Sequence, residues 1–233
     1  MDDKRFSGLI GQEYDFFRRA IPHYDKMQQI VAKTIASAGC EKILEIGTGV
    51  GDTTLALLET NKRAYITSID NEPQMLQQAQ RLLASYIENG RLTLVKADAL
   101  SYIRCTPSDS IDGVASAFTI HNFSRGYREV LFDEIFHSLK SGGVFVNGDK
   151  YAQDGIDYAI SFDAEMSLLR QMASKINRQE LFEEWHKHYL EDEHPDVIMR
   201  EKNSLDLLKR IGFSVKIVYR ELMEAVICAQ KAS

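Results

Sequence analysis

The chain has 233 residues, of which 44% are apolar, and its formal net charge is -6. This length suits one α/β domain, and the apolar content suffices for a packed core. The acidic balance disfavours an extended phosphate-binding surface, although a small local basic patch would not show in the total charge. We therefore expect a small-molecule substrate in preference to a nucleic acid.

The cysteines and the apolar runs bear on where the protein works. Cys40, Cys105 and Cys228 are scattered, without a C-x-x-C pair. This usage predicts a reducing, cytoplasmic location and argues against a disulfide framework or a cysteine zinc site. We also expect no signal peptide and no membrane span, because no apolar run has the required position or length.

Strand-like runs alternate with helical patterns along the first two thirds of the chain. This alternation predicts an α/β fold with a doubly wound, Rossmann-like and mostly parallel sheet. The predicted helices cover 24–37, 52–60, 73–86 and 125–140, and the predicted strands cover 42–46, 64–69, 92–97, 112–120 and 143–148. Residues 157–202 read as helical, and 213–222 and 225–230 read as a closing strand pair.

Acidic residues stand at the ends of the first three predicted strands. Glu45 precedes the glycine loop Gly47–Gly51, Asp70 closes the second strand, and Asp98 closes the third. In an open parallel sheet, ligands bind beyond the carboxyl ends of the strands. The pattern therefore predicts a cleft for a ligand that carries a nucleoside.

The glycine spacing and Glu45 bear on which nucleoside ligand binds. Gly47, Gly49 and Gly51 depart from the G-x-G-x-x-G spacing of dinucleotide-binding loops. An acid beside the loop would repel a pyrophosphate and attract the ammonium group of a methionine. The sequence thus favours S-adenosylmethionine over a nicotinamide dinucleotide.

Asp70 and Asp98 could each contact the ligand or have only a structural role in the chain nearby. Asp70 can accept hydrogen bonds from ribose hydroxyls, or act with Asn71 at the start of a helix. Asp98 can lie beside adenine, with Ala99 supplying a backbone N–H, or be a solvated loop acid.

The segments Ile43–Gly51, Ser68–Asp70, Lys96–Ala99 and Leu139–Val146 together resemble the class I S-adenosylmethionine-dependent methyltransferases. The resemblance implies a seven-stranded sheet with an antiparallel C-terminal strand, and S-adenosylmethionine as cofactor with S-adenosylhomocysteine as product. It places the methionine moiety at the glycine loop, ribose at the second acid and adenine at the third. The cofactor-binding residues it implies are Glu45, Gly47, Thr48, Gly49, Gly51, Asp70, Asn71, Asp98, Ala99, Ala117 and Tyr24.

The front segment Tyr14–Met27 and the long helical stretch also resemble the carboxy-S-adenosylmethionine synthases of tRNA wobble-uridine modification. The glycine loop differs from that family's D-L-G-C-S-L-G pattern. A rough alignment also places His188 where that family has the arginine that binds the additional carboxylate. We therefore expect ordinary S-adenosylmethionine as the donor.

We expect one methyltransferase domain over 1–233. Its parts would be an N-terminal helical cap at 1–40, a cofactor-binding core at 41–150, a helical lid insertion at 151–203, and a closing helix and strand pair at 204–233. An amphipathic helix pair that completes the core or forms a homodimer surface is an equal alternative for the insertion. In the cap, Tyr14, Phe17 and Tyr24 could cover the donor or pack in the core.

His121 is the candidate catalytic residue. It follows the fourth predicted strand, whose end faces the methyl group in the family's architecture, and histidine titrates near neutral pH. The alternative is a histidine that packs on the cofactor or donates to a carbonyl. Asp149 and Lys150 follow the fifth strand and could also reach the pocket. We predict no metal site, because His186 and His188 are two apart and share no helix face.

These observations predict methyl transfer to an oxygen, nitrogen or carbon nucleophile of a small organic molecule. Two alternatives stay open at this point. One is an enzyme like the carboxy-S-adenosylmethionine synthases, and the other is a non-catalytic module that only binds the donor or its product.

Overall fold

A computed structural model describes residue 18 and residues 23–232, so Tyr14 and Phe17 lie outside the described residues. Seven strands form one sheet in the order β3-β2-β1-β4-β5-β7-β6. Strands β1 to β5 are parallel, and β7 runs antiparallel to both β5 and β6. The strands are β1 Lys42–Ile46, β2 Tyr65–Asp70, β3 Leu92–Lys96, β4 Ile111–Ala117, β5 Leu139–Lys150, β6 Phe213–Glu221 and β7 Glu224–Lys231. The predicted doubly wound, mostly parallel fold is confirmed.

Helices follow most of the strands along the chain, as expected of crossovers between parallel strands. The described α-helices are α1 Tyr24–Ser37, α2 Asp52–Thr60, α3 Pro73–Leu82, α4 Ala84–Glu88, α5 Ala99–Arg104, α6 Arg125–Ser138, α7 Ile156–Lys175, α8 Gln179–Asp192 and α9 Glu201–Ile211. Two groups of buried apolar side chains pack around the sheet. One is centred on Phe132 and Phe145, and the other on Met27, Ile43 and Leu57.

Strand order reverses between β1 and β4, which are hydrogen-bonded neighbours at the centre of the sheet. Ile46 is in register with Ile69 on one side and with Ser116 on the other. Four of the five residues of β1 are buried, as expected of a central strand covered on both faces. The carboxyl ends of three strands therefore meet at this point of reversal.

The predicted fourth strand, 112–120, is too long, because β4 ends at Ala117. Phe118 has a φ of 50°, which breaks the extended conformation. A 3₁₀ turn at Ile120–Asn122 follows. His121 is therefore in this turn and not at a strand end.

Other predicted boundaries change as well. The helix predicted at 73–86 is interrupted at Leu83, a buried residue whose backbone is not helical. The helix predicted at 125–140 ends at Ser138, and β5 extends beyond its predicted bounds at both ends. Helix α5 was not predicted; Asp98 caps it by accepting from the Ser101 N–H.

Helices α7 and α8 form an excursion from the sheet with its own buried cluster, which includes Leu169, Phe182 and Trp185. Its two ends are joined to each other: the Ala152 N–H donates to the Met199 carbonyl at 2.9 Å, and the Glu201 N–H donates to the Ala152 carbonyl at 3.0 Å. We call the segment between these ends, residues 153–198, the helical insertion.

The buried Arg128 guanidinium connects the helical insertion to the 3₁₀ turn. It donates to the carbonyls of Phe123, Val197 and Ile198 at 2.8, 2.5 and 3.1 Å. Because a planar guanidinium has five donors in a fixed arrangement, this one side chain sets the spacing between the end of the insertion and the loop after β4.

Candidate functional site

A cavity of about 150 Å³ opens at the carboxyl ends of the central strands. Nine of the residues predicted to bind the cofactor line it. They are Tyr24, Gly47, Thr48, Gly49, Asp70, Asn71, Asp98, Ala99 and Ala117. Glu45, Gly51 and His121 are not among its lining residues.

The glycine loop needs its glycines for two different reasons. Gly47 has a φ of 87°, and a Cβ on it would lie 2.0 Å from Oγ1 of Thr119. Gly49 has a φ of 52°, and a Cβ there would meet no atom within 4 Å. The first glycine therefore permits a close approach to the loop after β4, whereas the second leaves open space where the loop borders the cavity.

Asp70 both holds the glycine loop and faces the cavity. Its Oδ2 accepts from the Gly49 N–H at 2.8 Å, and its Oδ1 accepts from the Glu72 N–H at 2.9 Å. Burial raises the pKa of the Asp70 carboxyl, although these backbone hydrogen bonds oppose the shift. Each oxygen keeps capacity for a further donor, such as a ribose hydroxyl.

Asp98 is built into a hydrogen-bonded corner of the cavity. Oδ1 accepts from the Ser101 N–H at 2.8 Å, and Oδ2 accepts from the Tyr127 hydroxyl at 2.6 Å. Partial burial raises the pKa of Asp98, but the hydrogen bonds from Tyr127 and Ser101 outweigh it and the net pKa lies below the usual value. These hydrogen bonds therefore fix the Asp98 carboxylate, which both caps helix α5 and lines the cavity.

Glu45 lies behind the glycine loop and is fully buried. Its Oε2 accepts from Thr54 at 2.5 Å and from Ser68 at 2.6 Å, whereas Oε1 has no hydrogen-bond partner among the described residues. Burial raises the pKa of Glu45 to about 7, despite these two hydrogen bonds. The contact between Glu45 and a methionine ammonium stays a prediction, because the carboxylate supports the loop from below.

The charges around the cavity have one sign. Asp52, Asp70, Glu72 and Asp98 line it, and no lysine or arginine is among its described lining residues. Such a lining suits a cationic ligand and disfavours a pyrophosphate, since phosphate sites present cationic side chains or clustered N–H donors.

An aromatic pair closes one side of the cavity. Tyr24 stacks on Phe118, with ring centroids 5.1 Å apart and an interplanar angle of 14°. The Tyr24 hydroxyl donates to Asp52 at 3.3 Å, and Arg18 donates to the same carboxylate at 2.9 Å. These contacts hold the start of α1 at the cavity, and the role of Tyr24 in covering the donor stays a prediction.

His121 lines a second, smaller cavity of about 30 Å³, between the 3₁₀ turn and the helical insertion. Its Nδ1 lies 2.5 Å from Oδ1 of Asp149, and its backbone N–H donates to Oδ2 of that residue at 3.1 Å. The fully buried Asp149 carboxylate accepts from both the backbone N–H and the ring Nδ1 of His121. Nδ1 therefore carries the proton when the ring is neutral. The Nε2 atom is then the basic nitrogen on the other side of the ring.

Other polar groups of the second cavity come from β5 and α8. The Lys150 ammonium lies 2.7 Å from Oδ2 of Asp192 and 4.0 Å from the ring centroid of Tyr189. His188 and Asp192 are one helical turn apart, with 4.0 Å between Nε2 and Oδ2. The sequence prediction missed Asp192 and Tyr189, because only the fold brings α8 to the 3₁₀ turn.

The glycine loop, the acids at the strand ends and the sheet order together match one known family. Residues 43–143 match the family model described as a methyltransferase domain. This core segment belongs to the class I S-adenosylmethionine-dependent methyltransferases. The methyltransferase family implies S-adenosylmethionine as the cofactor.

Two curated relatives illustrate the range of similar proteins. A carboxy-S-adenosyl-L-methionine synthase of Shewanella amazonensis is 26% identical over 167 residues, which cover 70% of this chain and 65% of the relative. A ubiquinone/menaquinone biosynthesis C-methyltransferase of Syntrophotalea carbinolica is 30% identical over 145 residues, or 61% of this chain and 58% of the relative. The chain thus spans less than two thirds of either relative.

Solved methyltransferase structures share the whole fold. An O-methyltransferase family protein of Burkholderia thailandensis superposes with a TM-score of 0.70 at 12% identity, covering 100% of this chain and 63% of that one. Among the described residues, no helix is both long enough and apolar enough to cross a membrane.

Proposed function

We propose that this protein transfers the methyl group of S-adenosylmethionine to a small organic acceptor bound between the 3₁₀ turn and the helical insertion. The observation that carries the proposal is the first cavity: a glycine loop and four carboxylates surround it, without a lysine or arginine among its described lining residues. This arrangement fits a positively charged nucleoside that has no phosphate.

The donor side follows from the residues that line the cavity. Gly47, Thr48 and Gly49 would border the methionine moiety, Asp70 would accept from ribose, and Asp98 with the Ala99 N–H would face adenine. When bound, S-adenosylmethionine supplies a methyl group that its positive sulfur has already activated. The protein then has to align the acceptor with that group and exclude water.

The acceptor side centres on His121. Thr119, two residues before His121, and Asn122, directly after it, line the first cavity, whereas His121 lines the second. The 3₁₀ turn therefore separates the two cavities. Because Nδ1 is hydrogen-bonded to Asp149, the Nε2 atom can take a proton from the hydroxyl, amine or carbon acid of the methyl acceptor.

Apolar side chains limit the acceptor. Tyr158, Ile198, Met199 and Met223 line the second cavity beside its charged groups. An acceptor with an apolar or aromatic body and one polar reacting group would match this lining.

A cytoplasmic location accords with the three free cysteines.

The first test is mass spectrometry of small molecules released by denaturing freshly purified protein, followed by titration with S-adenosylmethionine and NAD. Release of the methyl donor or S-adenosylhomocysteine, with micromolar binding in the titration, is the expected result. Binding of NAD in preference to the methyl donor would refute the donor assignment. Methyl transfer would then be followed with a labelled donor and an acceptor panel. Donor binding without turnover of any acceptor would favour a non-catalytic binding module.

The curated relatives named as carboxy-S-adenosyl-L-methionine synthases favour a second candidate activity of that kind. Against it, a rough alignment places His188 where that family has the arginine that binds the additional carboxylate, and Nε2 of His188 lies 4.0 Å from the Asp192 carboxylate. The same mass spectrum separates the two, because the carboxylated ligand is heavier than S-adenosylmethionine.

A further inference from the structure

Three metal-ligating side chains meet beside the second cavity. They are His121 from the 3₁₀ turn and His188 and Asp192 from α8. One ligand atom from each residue lies within 4.8 Å of the other two, and Nε2 of His121 and of His188 lie 3.9 and 4.0 Å from Oδ2 of Asp192. We infer that these three residues form a binding site for a divalent transition-metal ion such as Zn²⁺.

The donor set fits such an ion and leaves it incompletely coordinated. Two imidazoles and one carboxylate are ligands that zinc and iron accept, and three protein ligands leave a position for a water or a substrate. The residues are nearly excluded from solvent, with side-chain exposures of 8% for His121, 4% for His188 and 13% for Asp192. A small cavity beside two of them provides that open position.

The surroundings orient His121 as a metal ligand is usually oriented. A ligating histidine almost always donates its other ring N–H to a carboxylate or carbonyl. Asp149 accepts from Nδ1 of His121 at 2.5 Å, so Nε2 points toward Asp192, 3.9 Å away. The His188 ring stacks on Trp185, with centroids 5.0 Å apart, which fixes its plane.

The distances require a small contraction. Tetrahedral zinc with bonds of about 2.0–2.1 Å separates its ligand atoms by about 3.3 Å. The two distances to Oδ2 of Asp192 are 3.9 and 4.0 Å. These two distances would have to shorten by about 0.6–0.7 Å, and the two histidine nitrogens, which lie within 4.8 Å of each other, would also have to approach. Side-chain rotation on the helical insertion can supply such movements.

Lys150 is the competing cation. Its ammonium lies 2.7 Å from Oδ2 of Asp192, so it neutralises the carboxylate that a metal ion would bind. A metal ion would displace this ammonium or share Asp192 with it. Removing the ammonium should therefore strengthen metal binding, an effect that a purely structural ion pair would not produce.

This inference rests on the proposed function only for its chemical consequence. A bound ion would lower the pKa of an oxygen that coordinates it and so activate a hydroxyl-bearing acceptor. It would occupy the Nε2 atom of His121 that otherwise serves as a base. The two roles are alternatives for one atom, and metal binding can be measured without any acceptor.

The test is titration of chelator-treated protein with Zn²⁺ by calorimetry and with Co²⁺ by visible absorption, which reports coordination geometry. The wild type should bind one equivalent with a micromolar or lower Kd. His188→Gln should weaken binding at least tenfold, and Lys150→Met should tighten it. His194→Gln is the control, because this histidine is 62% exposed and lies outside the cluster.

Circular dichroism and S-adenosylmethionine titration of each variant report folding and the donor site separately. Absence of stoichiometric Zn²⁺ binding by the wild type would refute the site. Equal binding by wild type and a folded His188→Gln protein would also refute it. Loss of donor binding with intact Zn²⁺ binding would instead contradict the proposed function alone.

Discussion

Asp149 binds His121 twice, through the ring at Nδ1 and through the backbone N–H. The same carboxylate thus fixes both the tautomer of the imidazole and the position of the 3₁₀ turn that carries it. The Nε2 atom is thereby held on the side of the second cavity, whether it acts as a base or as a ligand.

Replacing Asp149 with Asn should therefore change which ring nitrogen of His121 carries the proton, while the fold is kept. We expect methyl transfer to fall by about 10²–10⁴-fold, with little change in the affinity for S-adenosylmethionine. Nitrogen-15 NMR of the imidazole should show the proton moving from Nδ1 toward Nε2. Asp133→Asn is the control, since this carboxylate is 58% exposed. An unchanged NMR signature in the variant would contradict the orienting role.

Replacing Asp70 with Asn should weaken donor binding. A hydrogen bond to a charged acceptor contributes about 1.5–3 kcal/mol, which corresponds to about a 10- to 100-fold rise in Kd. Calorimetric titration with S-adenosylmethionine measures it, with Asp133→Asn again as control. Equal affinity in the folded variant would remove Asp70 from the ribose site.

Replacing Glu45 with Gln should flatten the pH dependence of stability. The folded-state pKa is raised from 4.5 to about 7, so the native protein keeps a proton that the unfolded chain has lost. The contribution of this group to stability is therefore largest below pH 4.5 and is lost as pH rises toward 7, a change of about 3 kcal/mol. Urea unfolding of wild type and variant between pH 5 and 8 measures the difference.

The matched control for that series is Glu59→Gln, because Glu59 is exposed near the end of α2. It should follow the wild-type pH profile. If Glu45→Gln follows the same profile as well, the buried carboxyl does not carry the raised pKa.

Replacing Gly47 with Ala should destabilise the protein through a clash. Its Cβ would lie 2.0 Å from Oγ1 of Thr119, and φ is 87°. Overpacking and left-handed strain together predict a loss of about 3 kcal/mol. Gly90→Ala isolates the backbone contribution, since φ is 77° with no atom within 4 Å of the added Cβ. Thermal unfolding should rank the two variants clearly, and similar losses would argue against the clash.

The sequence predicted the sheet well because buried strands and glycine turns are local signals. Strand β1 has its predicted bounds, and the helix at 24–37 does too. The turn at Ile120–Asn122 was missed because Phe118 adopts a positive φ that no residue preference indicates. Helix α5 was missed because its six residues give too short a periodic pattern.

Nine residues that line the first cavity could be predicted, since glycines and acids such as Gly47, Asp70 and Asp98 stand at strand ends that the sequence makes recognisable. The second cavity could not. His121 and Asp192 are 71 positions apart, and nothing in either local pattern indicates that they meet. For the same reason, a prediction based on histidine spacing within 186–194 considered the wrong partners for His188.

The paired ends of the helical insertion bear on how such a protein can change its substrate. Because Ala152 and Glu201 are hydrogen-bonded neighbours, the sheet needs only a short connector between them. The helical insertion can therefore be replaced as a unit, while the first cavity stays intact. Under the proposed function, a change in this segment would alter acceptor choice without rebuilding the donor cavity, and a different segment could be grafted at the same two points.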